Sequence, residues 1–280
     1  MRRNFLCEIV ARKRQVLEKL RANTSADVLR TRALEVRKTA ARYRLRQTME
    51  AESPALKIIA EFKRRSPSLG PIRTDLSPAD IARRYERGGA CAISVLTDEE
   101  HFGGSIDDLI AVRSSTHLPI LRKDFIIDPI QIYEAAVAGG DAVLLIAGAL
   151  DTASLDELRR VAEDELGLDA LVEVHTSDEL RQALNAGATL IGVNNRDLHT
   201  FEVSLSTSER LIAEAPREKV MVSESGLQSA ESLRRLHALG FRGFLIGEAL
   251  MRARDPETAL CDLIVNAGLS QVAPFGGRQR

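Results

Sequence analysis

Glu61 and Lys63 stand two apart in the run IIAEFK, the spacing that points two side chains to one face of a strand. The same break recurs along the chain. Lys123 ends PILRK, Glu173 ends ALVE and Asn194 ends LIGVN, each a charged or amide group closing an apolar run. Ser225 and Gly226 follow KVMVSE, and Gly247 and Glu248 close the run that begins GFLI. A lone Glu or Lys at a strand end is usually a solvated loop residue, and Asn is also a common turn residue. No single position therefore carries the argument; the shared phase of the breaks does. Two lysines and two glutamates in one mouth suit proton transfer. Neighbouring lysines lower each other's proton affinity, while glutamates favour the charged form, so a donor and an acceptor could coexist near neutral pH. The Ser-Gly and Gly loops would let backbone approach an anion closely, and N–H groups at a following helix start would favour a phosphate. Left-handed turns are the ordinary competing use of such glycines. His175, two beyond Glu173, reads as a turn or supporting residue.

Such residues act together only if their strands end at one place. Eight short apolar runs are present: LKIIAEF, CAISVLT, PILRKD, AVLLIA, ALVEVH, TLIGVN, KVMVSES and GFLIG. They recur at roughly 20–30 residue intervals, the size of βα units. Several are continuous and β-branched, as in parallel strands buried on both faces. Helical segments are expected between them at Pro78–Gly88, Pro129–Ala138, Ser154–Asp164, Ser177–Asn185, Ser206–Ala215 and Ser229–Leu239. Ser or Pro starts several, and Gly or Asn often ends them. This alternation predicts an α/β fold, a closed (β/α)₈ TIM barrel, with its active face at the strands' C-terminal ends. An open doubly wound sheet competes, but no GxGxxG follows the first strand.

Composition narrows the function further. Hydrophobic residues are 44% of the 280, and the formal net charge is -1, which gives no general reason to expect nucleic acid as a partner. No apolar run approaches the ~20 residues that cross a bilayer. Cys7, Cys91 and Cys261 lie far apart, and the five histidines form no HxH or HExxH group, so neither a disulfide framework nor a metal site is expected. A reducing cytoplasm is the natural setting. The start, MRRNFLCEIVARKRQVLEKL, reads as an amphipathic helix rather than a targeting segment. A helical extension is expected to about Ala55. Its most basic part, Arg37–Arg46, is expected to be a solvated helix face, with polyanion binding as the sharper alternative. One domain over residues 1–268, with a mobile tail at 269–280, is the expected organisation.

Longer motifs carry a resemblance. IIAEFKRRSPS, AISVLTDEEHFGGS, LPILRKDFIIDPIQIYEA, DAVLLIA, LVEVHT, LIGVNNRDL, VSESG and FLIGEALMR occur in the order of the indole-3-glycerol-phosphate synthase family. The resemblance runs from about Ile58 to Arg252. It implies a (β/α)₈ barrel with an N-terminal helical extension and a carboxy-lyase of tryptophan biosynthesis. The implied substrate is 1-(2-carboxyphenylamino)-1-deoxyribulose 5-phosphate. Ring closure gives indole-3-glycerol phosphate with loss of carbon dioxide and water. No cofactor is implied, neither metal nor organic. Association with other enzymes of the pathway stays open.

By that resemblance Lys123 matches the general acid and Glu173 the acid–base residue of the dehydration. Lys63 and Glu61 match a pair that positions substrate and assists proton transfer. Asn194 and Ser225 match further active-site positions, with Glu224 beside them. Lys63, Asn194 and Arg196 are candidates to orient the departing carboxylate. Ser66 and Pro67, with Phe102, Phe125, Leu144 and Phe201, match substrate positions around the aromatic ring. For Phe125 and Leu144, core packing is the competing role. Gly226, Gly247 and Glu248 fall in the expected phosphate loops.

The sequence departs from the family pattern at Leu69, at His101 and through the basic stretch from Thr24 to Ser53. Phe5 is a candidate to cover the site. Two other functions compete. One is a phosphoribosylanthranilate isomerase, which would need a cysteine and aspartate pair at the mouth, whereas Cys91 starts its run. The other is a silent barrel binding a polyanion through its N-terminus.

Overall fold

Eight parallel strands close into a ring: β1 (Ile58–Phe62), β2 (Ala92–Leu96), β3 (Ile120–Lys123), β4 (Ala142–Ile146), β5 (Asp169–Val174), β6 (Leu190–Asn194), β7 (Val220–Glu224) and β8 (Gly243–Ile246). β1 pairs with both β2 and β8, so no barrel edge is left open. The computed structural model describes residues 5–53, 55–67, 70–73, 75–197 and 200–268, with the Phe5 side chain outside that set. Leu69 and the tail at 269–280 also fall outside it. The TIM barrel expected from the alternating runs is the fold observed.

Strand alternation sorts the apolar side chains into two cores. Ile58, Ala60, Phe62, Val172 and Val193 face outward and pack under the helices. Ile59, Leu121, Leu144, Leu171, Val222 and Leu245 point into the barrel. Register then sets height. Glu61 pairs with Ser94, and Ser94 pairs with Leu121, two residues short of Lys123. The same two-residue step separates Lys123 from Glu173, Glu173 from Glu224 and Glu224 from Glu61. Four such steps give a stagger of eight, and alternate strands supply each interior layer. Glu61, Lys123, Glu173 and Glu224 therefore form one layer, from β1, β3, β5 and β7. Ser94, Leu144, Gly192 and Leu245 lie below it, and Leu96, Ile146, Asn194 and Gly247 lie above.

Most of the expected helices form at their expected places. The fourth-strand helix differs: it runs from Thr152 to Arg160 and continues as a wide π turn over Val161–Glu165. Asp151 accepts the Ser154 N–H at 2.8 Å and starts the helix before Ser154.

The N-terminal extension forms α1 (Phe5–Asn23), α2 (Ala26–Arg37) and α3 (Arg44–Glu50). α1 crosses the C-terminal face, where Leu6 reaches the turn at Gly148 just after β4. α2 packs along the helix Pro129–Val137. Its 12 residues span roughly 18 Å at ~1.5 Å per residue, about the height of a barrel wall. α3 closes the opposite end: Leu45 and Met49 are fully buried in the interior core, and Met49 Sδ lies against Gly243 at the foot of β8.

The basic stretch Arg37–Arg46 is not a solvated helix face. It spans the turn between α2 and α3, and its arginines bind the barrel's lower rim. Arg37 donates to the carbonyls of Leu166 and Gly167, both at 3.1 Å. Arg44 meets Asp141 at 2.8 Å and Arg46 donates to Thr189 at 3.0 Å. Arg42 donates to the Glu163 and Asp164 carbonyls. These commitments leave little cation for a polyanion.

Asp169, buried at the foot of β5, caps α3 by accepting the Leu45 N–H at 2.8 Å and the Arg46 N–H at 3.0 Å. Burial outweighs those bonds and pushes its carboxyl up to about 6 from 3.8. Its protonated form therefore favours the fold. That contribution is complete below about pH 4 and is lost as pH rises through about 6. Asp169→Asn keeps a cap acceptor and removes the ionisable group. Its denaturation midpoint at pH 7 is expected to equal or exceed the native one, with a flatter slope between pH 4 and 6. Asp169→Ala is expected to lose about 1 kcal/mol, by urea unfolding, because two N–H groups lose their acceptor.

Candidate active site

The charged layer sits at the floor of a cavity of about 220 Å³ in the barrel mouth. Lys123 Nζ reaches Glu173 Oε2 at 2.9 Å and Glu224 Oε2 at 3.3 Å. Lys63, just beyond β1, meets Glu61 at 2.6 Å. Burial alone would lower the proton affinity of Lys123. The charges of Glu173, Glu224 and Glu61 overcome it and raise the ammonium above its ordinary value. Of the two influences expected from the sequence, lysines lowering one another and glutamates favouring the charged form, the second dominates here.

The two carboxylates nearest Lys123 separate. Burial opposes ionisation of Glu173, but the Lys123 ammonium and His175 outweigh it and hold its carboxyl low. Glu224 is pushed up to about 7, first by burial and then by the charge of Glu173. Two like charges beside one lysine cannot both be fully stabilised. Of the two carboxylates, the one that can release or take a proton near neutrality is therefore Glu224, which the sequence placed among the substrate-binding residues beside Ser225.

Glycines make room for this arrangement. A Cβ on Gly192 would stand 2.1 Å from Glu224 Oε1, and one on Gly247 would stand 2.3 Å from Glu61 Oε1. Gly192 carried no signal beyond its place in LIGVN. Gly247, expected for a phosphate, is also the space into which Glu61 leans.

The polar residues above the floor are held by neighbouring strand ends. Asn194 Oδ1 accepts the Arg196 N–H at 3.0 Å. Arg196 faces Glu248 at 3.4 Å and donates to the Phe201 carbonyl at 3.3 Å. Ser225 has a left-handed φ of 66°. Asn195, absent from the expected set, stabilises that turn: its Nδ2 lies 2.9 Å from the Glu224 carbonyl and 3.1 Å from that of Ser225. His175 stands behind Glu173, with Nε2 at 3.5 Å, and its Nδ1 lies 3.2 Å from Glu179.

Apolar groups form one side of the cavity. The Phe102 and Phe125 rings pack with centroids 6.3 Å apart. Leu144, Phe201, Pro67 and Ser66 also line it, as do Gly226, Gly247 and Glu248. The fold thus brings the residues expected to act on or bind substrate, from Glu61 to Glu248, to one cavity, while the Phe5 side chain, a candidate cover, lies outside the described residues. Leu144 belongs to the apolar interior core as well. Cys91 sits elsewhere, at the foot of β2. It donates to the Ile58 carbonyl, and burial pushes its thiol up to about 12. That placement leaves the isomerase alternative without its cysteine. Among the described residues, no group of three or more His, Cys, Asp or Glu could hold a metal ion.

The sequence missed one more cluster. Lys13 of α1 enters the loops behind Lys123, 2.8 Å from Asp98 and 2.6 Å from Asp124. Lysine in an amphipathic helix ordinarily reads as surface, so its type gave no warning.

A closed barrel with a lysine set among carboxylates at its mouth defines an enzyme of the (β/α)₈ class equipped for proton transfer. Comparison with known proteins narrows this. The sequence matches the indole-3-glycerol phosphate synthase family over residues 6–263, and the chain belongs to that family. It is 49% identical over 219 residues to indole-3-glycerol phosphate synthase of Polaromonas naphthalenivorans, covering 78% of this chain and 82% of the relative. The corresponding protein of Carboxydothermus hydrogenoformans is 51% identical over 222 residues, covering 77% and 83%. A solved thiamine phosphate pyrophosphorylase from Pyrococcus furiosus shares the fold alone, at 18% identity and a TM-score of 0.56. That match covers 74% of this chain and 93% of the other.

Gly192→Ala is expected to displace the Glu224 carboxylate while the barrel forms. Circular dichroism should be native, and turnover should fall about tenfold or more, as misplacement of a site group costs.

Proposed function

We propose that this chain is an indole-3-glycerol-phosphate synthase whose proton donor is Lys123. The observation that carries the reading is one ammonium among three carboxylates beneath an aromatic wall. The substrate, 1-(2-carboxyphenylamino)-1-deoxyribulose 5-phosphate, would lay its benzoate ring against Phe102 and Phe125, with Leu144, Phe201 and Pro67 around it and Ser66 at the edge. The ring carbon bearing the carboxylate attacks the ketone. A new carbon–carbon bond forms, and the Lys123 ammonium protonates the developing alkoxide. Loss of carbon dioxide returns its bonding pair to the ring. The new hydroxyl then leaves as water with a proton from an acid, and Glu173 takes the proton released in forming the indole.

Lys63, Asn194 and Arg196 orient the carboxylate before it leaves. Glu61 holds Lys63 and adds to the field on Lys123. Ser225 and Gly226 after β7, with Gly247 and the helix start at Glu248 after β8, offer the phosphate backbone donors. Glu248 itself is turned toward Arg196 and Arg252. The barrel and its three N-terminal helices act as one domain through residue 268. The setting we assign is the cytoplasm, with a phosphorylated small molecule as partner and neither nucleic acid nor membrane. Among the described residues, no helix is long and apolar enough to cross a membrane.

Incubation with the carboxyphenylamino-deoxyribulose phosphate should produce indole fluorescence; silence from folded protein would refute the reading. Lys123→Ala should lose turnover about 10²-fold or more while substrate still binds. The pH profile gives a separate check. Above about pH 7 Glu224 ionises, adds its charge to those of Glu173 and Glu61 around Lys123 and makes the ammonium a weaker acid. Turnover should therefore decline on the alkaline side of 7 in the native enzyme and stay flat there in Glu224→Gln.

A further inference from the structure

The Lys13 side chain lies on the barrel mouth's outer side yet is only 8% exposed, between carboxylates that are 6% and 2% exposed. Burying a cation in this way costs solvation, and only close, well-hydrogen-bonded partners offset that cost. Both partners serve the site. Asp124 follows Lys123 directly, and its Oδ1 accepts the Phe125 N–H at 2.8 Å. Its Oδ2 accepts from Thr97 at 2.8 Å and from Arg122 at 3.1 Å. Asp98 accepts the His101 N–H at 2.8 Å and so starts the turn of helix that carries Phe102.

Arg122 extends the network outward. It points away from the barrel interior, donates to the Gln131 carbonyl at 2.7 Å and meets Glu134 at 2.8 Å. Gln131 returns a bond to the Phe125 carbonyl at 3.0 Å. The strand end bearing Lys123 and both rings of the aromatic wall are therefore fixed through one buried polar cluster. α1 supplies Lys13 to that cluster. Its partners span two loops, after β2 and after β3, which Thr97 also links, its N–H donating to the Lys123 carbonyl at 3.1 Å and its hydroxyl to Asp124 at 2.8 Å.

We propose that Lys13 is a positioning residue for the ring-closing reaction, setting the Lys123 strand end and the Phe102–Phe125 wall from the N-terminal helix. The proposal rests on the assignment of Lys123 and the two rings to that reaction. α1 is then part of the active site's construction rather than a lid laid over it. Removing the Lys13 charge leaves Asp98 and Asp124 buried and facing each other with one cation fewer. Asp98 is then pushed from Asp124 about the remaining Thr97 tie, which moves the Phe102 turn against Phe125 and shifts Lys123 relative to the ketone. A misplacement on the order of 1 Å near the chemistry costs about 10²-fold.

The test compares Lys13→Met, Asp98→Asn and, as a control, Arg21→Met, which breaks an exposed α1 pair with Asp128. Turnover is measured per folded enzyme, together with KM and the amide NMR signals of Phe102, Lys123 and Phe125. Lys13→Met should lower kcat at least tenfold, raise KM and shift all three amides. Asp98→Asn keeps the helix-starting acceptor and should lower kcat/KM about threefold or more. Arg21→Met should match the native enzyme. A reduced melting temperature with native kcat, KM and amides in Lys13→Met would overturn the proposal and leave a purely structural tie. Should Lys13→Met fail to fold, Asp98→Asn decides: native kinetics and amides there overturn it. A native enzyme without turnover would refute the assigned reaction instead, and the amide shifts would still read the positioning claim.

Discussion

A lysine ammonium buried among three glutamates is the constraint on which the rest of this structure depends. Taken singly, each charge would be costly inside a barrel. Together they hold Lys123 protonated and Glu173 ionised, and they leave Glu224 to keep a proton until about pH 7. The four side chains meet because the stagger of an eight-stranded parallel barrel puts β1, β3, β5 and β7 at one height. They fit because glycine occupies the facing positions at Gly192 and Gly247. Barrel geometry and proton chemistry are thus one requirement here: a shift of register would turn the charged layer into the outer core.

The N-terminal helices serve both ends of that barrel. α3 fills the lower opening with Leu45 and Met49, under an Asp169 cap and a rim of arginines. α1 crosses the upper face and brings Lys13 between the loops that hold Lys123 and Phe102. Stability is concentrated at one face and chemistry at the other, as the fold class leads one to expect. The extension binds the two faces into one unit, since α2 runs the height of the wall between them.

Much of this was legible in the sequence, for a physical reason. Parallel strands buried on both faces are nearly all apolar, so Glu61, Lys123 and Glu173 stand out where they end such runs. Helix starts at Ser77, Asp128 and Thr176 follow cap chemistry that is local in sequence. What stayed hidden is what long-range contact decides. Arg37 and Arg44 have the composition of a solvated face, and only the barrel rim converts them into ties. Lys13 looks like any helix-surface lysine until the loops after β2 and β3 close over it. Glu224 differs from Glu173 not in type or strand position but in which carboxylate lies closer to Lys123 and His175.

Lys123 stays charged because carboxylates surround it, and so can serve as the acid. ¹⁵N NMR of the Lys123 side-chain nitrogen across pH measures this directly. An ammonium signal is expected to persist past about pH 11, above the ~10.4 at which an ordinary lysine titrates. Conversion to the neutral amine with a midpoint at or below about 10.4 would contradict this.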